Sequence, residues 1–207
     1  MLEDEHKLIM RVVNLLPKIQ QRAETGSADP EVLITVVDFF QVYADKSHHA
    51  KEEAALFPML AKRGVRTKGC PIGTLHSEHD QGRVLIKALR DSIQSYVNGD
   101  PASKKQIAEY LKSASVFYSD HIWKEDFLLF PLSHKVLNDS DADELRKQFL
   151  SIDAEMGSHF QQEYLYRVDR LEAIVNGDGK TNHPWGPHTK SEESSHLIPR
   201  LEEMLNV

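Results

Sequence analysis

His48 and Glu52 stand four residues apart, and so do His121 and Glu125. On a helix that spacing leaves two side chains about 40° apart around the axis, so each pair points from one face toward one place. An imidazole and a carboxylate converging in this way offer nitrogen and oxygen donors, which is the chemistry of a metal site. His79 and His121 lie 73 residues after His6 and His48, and at that offset the chain repeats itself. Glu5-His6 falls on Glu78-His79. His48-His49-Ala50-Lys51-Glu52-Glu53-Ala54-Ala55-Leu56-Phe57-Pro58 falls without a gap on His121-Ile122-Trp123-Lys124-Glu125-Asp126-Phe127-Leu128-Leu129-Phe130-Pro131. The repeated unit is a helix pair, with a His on its first helix and a His-x-x-x-Glu on its second.

Four inward histidines and two inward glutamates on four helices are expensive to bury unless positive charge compensates them. One ion would have to gather six ligands from four helices, whereas two ions related by the repeat share them, with the carboxylates free to bridge. His6, His48, His79, His121, Glu52 and Glu125 are therefore the expected metal ligands. His49 falls on Ile122 and is expected outside this inner set or at the surface; His76 falls on Glu3. Glu5 and Glu78 coincide beside the ligands, where they either orient an imidazole or serve as ordinary caps and solvent-facing charges. His159 has no repeat partner, since its equivalent is Ile86, but Glu163 follows it by four residues and Gly157-Ser158 precedes it. Those small residues would let a fifth helix come close, making His159 a seventh ligand that saturates one metal and leaves the other open. The plainer alternative is a polar residue on a peripheral helix.

The elements that must position these groups are helical throughout. Apolar residues recur at three-to-four spacing, as in Leu8, Ile9, Val12, Leu15, Leu16 and Ile19, which marks an amphipathic helix over residues 5–22. Further helices are predicted at about 30–63, 74–98, 102–137 and 141–176, separated by the turn signals Gly26-Ser27, Arg63-Gly64, Asn98-Gly99-Asp100-Pro101 and Asn138–Asp143. The expected architecture is all-α: an antiparallel up-and-down four-helix bundle made from a duplicated αα-hairpin over residues 1–137. A fifth helix, 138–176, packs on it, and residues 177–207 form a C-terminal loop and short helix. The apolar face Phe149, Ile152, Met156 and Phe160 calls for cover by that segment or by another subunit, and oligomeric state stays open.

Composition narrows the function classes. The 207 residues carry 25 Lys plus Arg against 32 Asp plus Glu, a net charge of -7, with no basic run to grip phosphates, so nucleic acid is not an expected partner. Cys70 is the single cysteine, which excludes thiolate clusters and disulfides within one chain. The N-terminus is acidic where a secretory signal is basic, and no apolar run approaches the roughly 18 residues of a membrane span, so a cytoplasmic protein without a membrane is expected.

At these residues the chain resembles the hemerythrin-like, or HHE cation-binding, family, whose pattern is His on the first helix, His-x-x-x-Glu on the second, His on the third and His-x-x-x-Glu on the fourth. His6, His48 with Glu52, His79, and His121 with Glu125 fill it, and the resemblance covers about residues 1–135. It implies a non-haem di-iron centre that binds or reacts with dioxygen, nitric oxide or peroxide, or that takes part in iron handling; His159 is similar to the extra histidine of longer bacterial members. Two departures stand out. The oxygen carriers of the family have a second histidine four residues from the third-helix one, where this chain has Leu75 and Arg83. They also place an aspartate five residues after the fourth-helix histidine, so Asp126 competes with Glu125, and the repeat favours Glu125. Imidazole and carboxylate without thiolate suit iron, zinc or manganese, and iron adds redox chemistry. A histidine-rich shell with two carboxylates leaves a di-ferrous core positively charged, which favours reversible binding or sensing of a small ligand over hydroxylation. A labile iron-handling or stress-response site, a weak peroxidase and a structural zinc protein are the alternatives, and whether the chain is an enzyme stays open.

Overall fold

The computed structural model describes residues 1–177. The expected C-terminal loop and short helix therefore lie outside the described residues, apart from Gly177. Every element among the described residues is helical, with no strand. None of these helices is long and apolar enough to cross a membrane.

The first helix, α1 (Leu2–Thr25), buries the expected apolar stripe and stops at Gly26, whose φ of 72° lets its N–H turn back onto the Ala23 carbonyl. Asp29 caps α2 (Pro30–Asp38) by accepting from the Glu31 N–H at 2.9 Å, with Pro30 at the first helical position. From there the winding continues without a break through π1 (Phe39–His49), π2 (Glu52–Leu56) and α3 (Phe57–Lys62). After a loop come α4 (Ile72–Val97) and α5 (Ser103–Lys124), the latter continuing into π3 (Glu125–Leu129) and α6 (Phe130–Val136).

The π segments have a local cause in two of three cases. Pro58 and Pro131 sit at the start of α3 and α6. A proline inside a helix lacks an N–H and its ring collides with the carbonyl four residues back, here in the middle of π2 and of π3; a wider i→i+5 turn moves that carbonyl aside. The repeated Phe-Pro thus writes the same five-residue π turn into both copies. π1 has no such cause and no counterpart, because the equivalent residues 112–122 are ordinary α-helix within α5.

The expected fifth helix is two helices. α7 (Asp139–Met156) opens on a capping box formed by Asn138 and Asp141, and α8 (Phe160–Asn176) follows. Gly157 separates them at φ 109° and ψ 152°, a conformation only glycine adopts freely and one that no helix can pass through. Arg11 on α1 ties α8 through Asp169 and Glu172 at 2.6 and 2.7 Å, and Arg63 ties α7 through Asp141 at 2.8 Å.

α1 packs on α5 and α8, and α4 packs on α5 and α2, making a helical bundle. Its interior holds two apolar clusters. The larger takes in Ile9, Leu16, Leu33, Phe40, Leu89, Leu111 and Val168. The smaller, at the other end, holds Leu2, Leu56, Leu60, Leu75, Leu129 and Phe149. The four repeat-related histidines fall between these clusters: His6 between Leu2 and Leu8, His48 between Ala44 and Ala55, His79 between Leu75 and Ile86, His121 between Tyr118 and Leu129.

Candidate metal centre

In that layer His6, His48, Glu52, His79, His121 and Glu125 are all buried, at 2% exposure or less. Their donor atoms form two groups, His6, His48, Glu52 and Glu125 in one and His49, His79 and His121 in the other, each with its ligand atoms within 4.8 Å of one another. The structure thus brings together the six residues that the repeat selects and adds His49.

Each of the four repeat-related imidazoles is held from behind. His6 Nδ1 lies 2.6 Å from Asp126, His48 Nδ1 2.9 Å from Glu5, His79 Nδ1 2.7 Å from Glu53 and His121 Nδ1 2.9 Å from Glu78. The carboxylates obey the 73-residue offset as the ligands do. So do the lysines that steady Glu5 and Glu78: Lys51 pairs with the first and Lys124, at 2.7 Å, with the second. A carboxylate on Nδ1 fixes its proton there and turns the Nε2 lone pair inward, the arrangement that prepares histidine for a metal.

The inner atoms then face one another, most of them without hydrogen-bond partners. His6 Nε2 and His48 Nε2 are 3.0 Å apart, and both Glu52 oxygens, both Glu125 oxygens, His79 Nε2 and His121 Nε2 are buried with no hydrogen-bond partner. Glu125 reaches both groups, with Oε2 at 3.1 Å from His6 Nε2 and Oε1 at 3.2 Å from His121 Nε2. Glu52 Oε2 stands 3.8 Å from His48 Nε2 and 3.4 Å from His79 Nε2. Donors bound about 2.1 Å from one ion are themselves separated by roughly 3–3.5 Å, so these spacings fit cations at the centre of each group.

Electrostatics point the same way. Burial opposes a charged His79, yet the carboxylates of Glu125, Glu52 and Glu53 overcome it and hold its pKa near 11. His6 is raised in the same manner, against burial, to about 9 by Glu125, Glu52 and Asp126. Glu53 resists burial through His79 and Arg83 and drops to about 2. His49 goes the other way: burial and then the neighbouring His79, His48 and His121 push it well below the ordinary histidine value, so it stays a neutral donor. The two inner carboxylates demand positive charge, and protons or metal ions compete to supply it.

His49 is the residue that sequence reasoning missed. It is 3% exposed, stacks on His79 with ring centroids 3.9 Å apart and meets His121 edge-on. The repeat equates it with Ile122, which is buried but aliphatic, and so gives that place no donor; π1 has no equivalent in the second copy. Its wider turn narrows the angle between neighbouring residues, so consecutive His48 and His49 both face inward. His159 is the opposite case. It precedes α8 just after the Gly157 break, is exposed, and its ring Nδ1 faces Gln162 Oε1 at 3.3 Å. The site does not include it: the helix expected to carry it inward ends at Met156, and Phe160 and Gln161 are the residues that turn to Tyr43. Of Glu125 and Asp126, Glu125 is fully buried among the imidazoles and Asp126 lies behind His6, its side chain 34% exposed.

Residues 1–133 match the family described as hemerythrin HHE cation binding domain. Among curated proteins nothing matches, and no solved structure does.

Proposed function

The chain belongs to the hemerythrin HHE cation-binding family and so is a metal-cation-binding protein, and we propose that it carries a non-haem di-iron centre for reversible binding or sensing of dioxygen or nitric oxide, with peroxide as a third candidate ligand. The observation that supports this most directly is the set of buried Glu52, Glu125, His79 and His121 donor atoms left without partners, lying in two groups of candidate ligands with a Glu125 oxygen 3.1 Å from His6 Nε2 in one and 3.2 Å from His121 Nε2 in the other. On this reading the duplicated hairpins form an antiparallel up-and-down four-helix bundle in the cytoplasm. His6, His48, Glu52 and Glu125 would hold one ion and His49, His79 and His121 the other, with Glu125 in reach of both groups. Iron in such a shell supplies reversible one-electron chemistry toward small ligands, and a site with five imidazoles and two carboxylates keeps a pair of ferrous ions net positive. The protein's own part is to fix the imidazoles through Asp126, Glu5, Glu53 and Glu78 and to keep water out with the two apolar clusters on either side. Elemental analysis of untagged protein is the first test. Two irons per chain, with an optical spectrum that changes on oxygen titration, is the expected result; a single zinc, or no metal in a folded chain, overturns the reading.

A further inference from the structure

Lys51 is fully buried, and its ammonium sits between two carboxylates, Glu5 of α1 and Asp153 of α7, the second at 2.5 Å. Glu5 uses its other oxygen to hold His48 Nδ1 at 2.9 Å. Gln161 of α8 donates toward both carboxylates, at 3.5 Å to Glu5 and 3.3 Å to Asp153, and accepts from the Tyr43 hydroxyl at 3.0 Å. A continuous chain of charge-assisted bonds therefore runs from Asp153 through Lys51 and Glu5 to a candidate metal ligand. Its outer members, Asp153 and Gln161, lie beyond residue 133, outside the span that matches the family.

The internal repeat supplies a comparison within the same molecule. At the 73-residue offset Glu5, His48 and Lys51 of the first copy correspond to Glu78, His121 and Lys124 of the second. There Lys124 takes its second carboxylate from its own helix, Asp120 one turn back at 2.5 Å, and its side chain is 29% exposed. Asp120 corresponds to Ser47, whose hydroxyl is buried with no hydrogen-bond partner among the described residues. In the first copy the helix lacks its own acid, and α7 supplies one. Cover follows the same pattern: Tyr43 is buried against Phe160 and Tyr164 of α8, whereas its counterpart Val116 is 66% exposed. A buried ammonium must keep its anionic partners, so without Asp153 it draws on Glu5 alone and turns that carboxylate away from His48.

From this difference we infer that Asp153 is a positioning residue for the metal centre: α7, docked on the first copy, sets through Lys51 and Glu5 how firmly His48 holds its ion, and leaves the His49, His79 and His121 group to its own supports. By linkage, an ion in the His48 group strengthens the docking of α7 in return. The inference rests on the proposed centre and adds to it the element that tunes one half. Asp153→Asn keeps the size of the side chain and removes its charge. With ferrous iron as the probe and a chelator as competitor, one of the two ions should bind about tenfold more weakly, the low end of what loss of a ligand's supporting partner costs. In the metal-free chain, long-range proton–nitrogen spectra should show His48 with its proton on Nδ1 in wild type and a mixture of tautomers in the variant. Arg63→Gln cuts the other tie to α7, at Asp141, and should leave both ions within about twofold of wild type, which separates positioning of His48 from attachment of the helix. Amide hydrogen exchange across residues 139–156 should slow on iron loading in wild type and in Arg63→Gln but not in Asp153→Asn. Should Asp153→Asn fold poorly, Gln161→Ala opens the same network from α8 and should weaken the same ion. Unaltered iron affinity in Asp153→Asn, or an equal loss in Arg63→Gln, overturns the positioning role and leaves the metal centre standing. A chain that takes up no metal overturns both.

Discussion

Four imidazoles with a carboxylate on each Nδ1 leave little freedom in how the inner nitrogens point, and this is where single substitutions should be read first. Glu53→Gln keeps the size of the group behind His79 but removes the charge that fixes its tautomer, and loss of such a partner commonly costs about 10–100-fold in metal affinity. Competition titration against a chelator of known strength should show a loss of that size confined to one of two ions. Identical curves for variant and wild type would make Glu53 a surface partner of Arg83 and nothing more. The same titration separates the two histidines on which sequence and structure differ. His49→Ala should weaken one ion at least tenfold, whereas His159→Ala, changing an exposed ring beyond the α7 end, should leave both unaffected. The reverse pattern would restore His159 to the centre and move His49 out.

At the scale of elements, the helices were legible because apolar spacing and turn residues agree: the stripe of α1, the Asp29-Pro30 start of α2 and the Asn98-Gly99 end of α4 are written locally. The candidate donors were legible because the repeat pairs His6 with His79 and His48-Glu52 with His121-Glu125. What the repeat could not carry is any place where the two copies wind differently. π1 is such a place: a π turn uses the same residues as an α turn, and without a proline behind it nothing in the spacing announces it, so the offset sets His49 on an aliphatic residue and gives no sign that it joins the imidazoles. The Gly157 break was misread for a related reason. Gly-Ser inside an apolar pattern reads as a close approach of a continuous helix, but the Gly157 backbone sits at φ 109° and ψ 152°, where the glycine is required to leave the helix. Nothing lies within 4 Å of a Cβ built there, so Gly157→Ala isolates the backbone cost. Urea unfolding should show a loss of about 1–3 kcal/mol with metal content retained. A neutral or stabilising result would mean that α7 and α8 can join as one helix after all.

Across the whole molecule the two halves are joined through the centre as well as through the packing of α1 on α5. His6 is steadied by Asp126 of the second copy and His79 by Glu53 of the first, and each donor group draws on both copies. The cost of this arrangement is a layer of buried charge between two apolar clusters. Glu52 bears it most plainly, fully buried with neither oxygen hydrogen-bonded. An unsatisfied buried polar group costs about 1–3 kcal/mol, so in metal-free protein Glu52 should be a liability and in metal-loaded protein a ligand. Glu52→Met, similar in length and apolar, should therefore change sign with occupancy. Without metal, its thermal midpoint should rise above that of wild type. With metal, wild type should gain roughly 10 °C or more at ion concentrations near a thousand times the dissociation constant, and the variant should gain far less. If Glu52→Met lowers the midpoint of the metal-free chain, the carboxylate is held by the surrounding imidazoles themselves, and the layer is a protein ion-pair network that needs no cation.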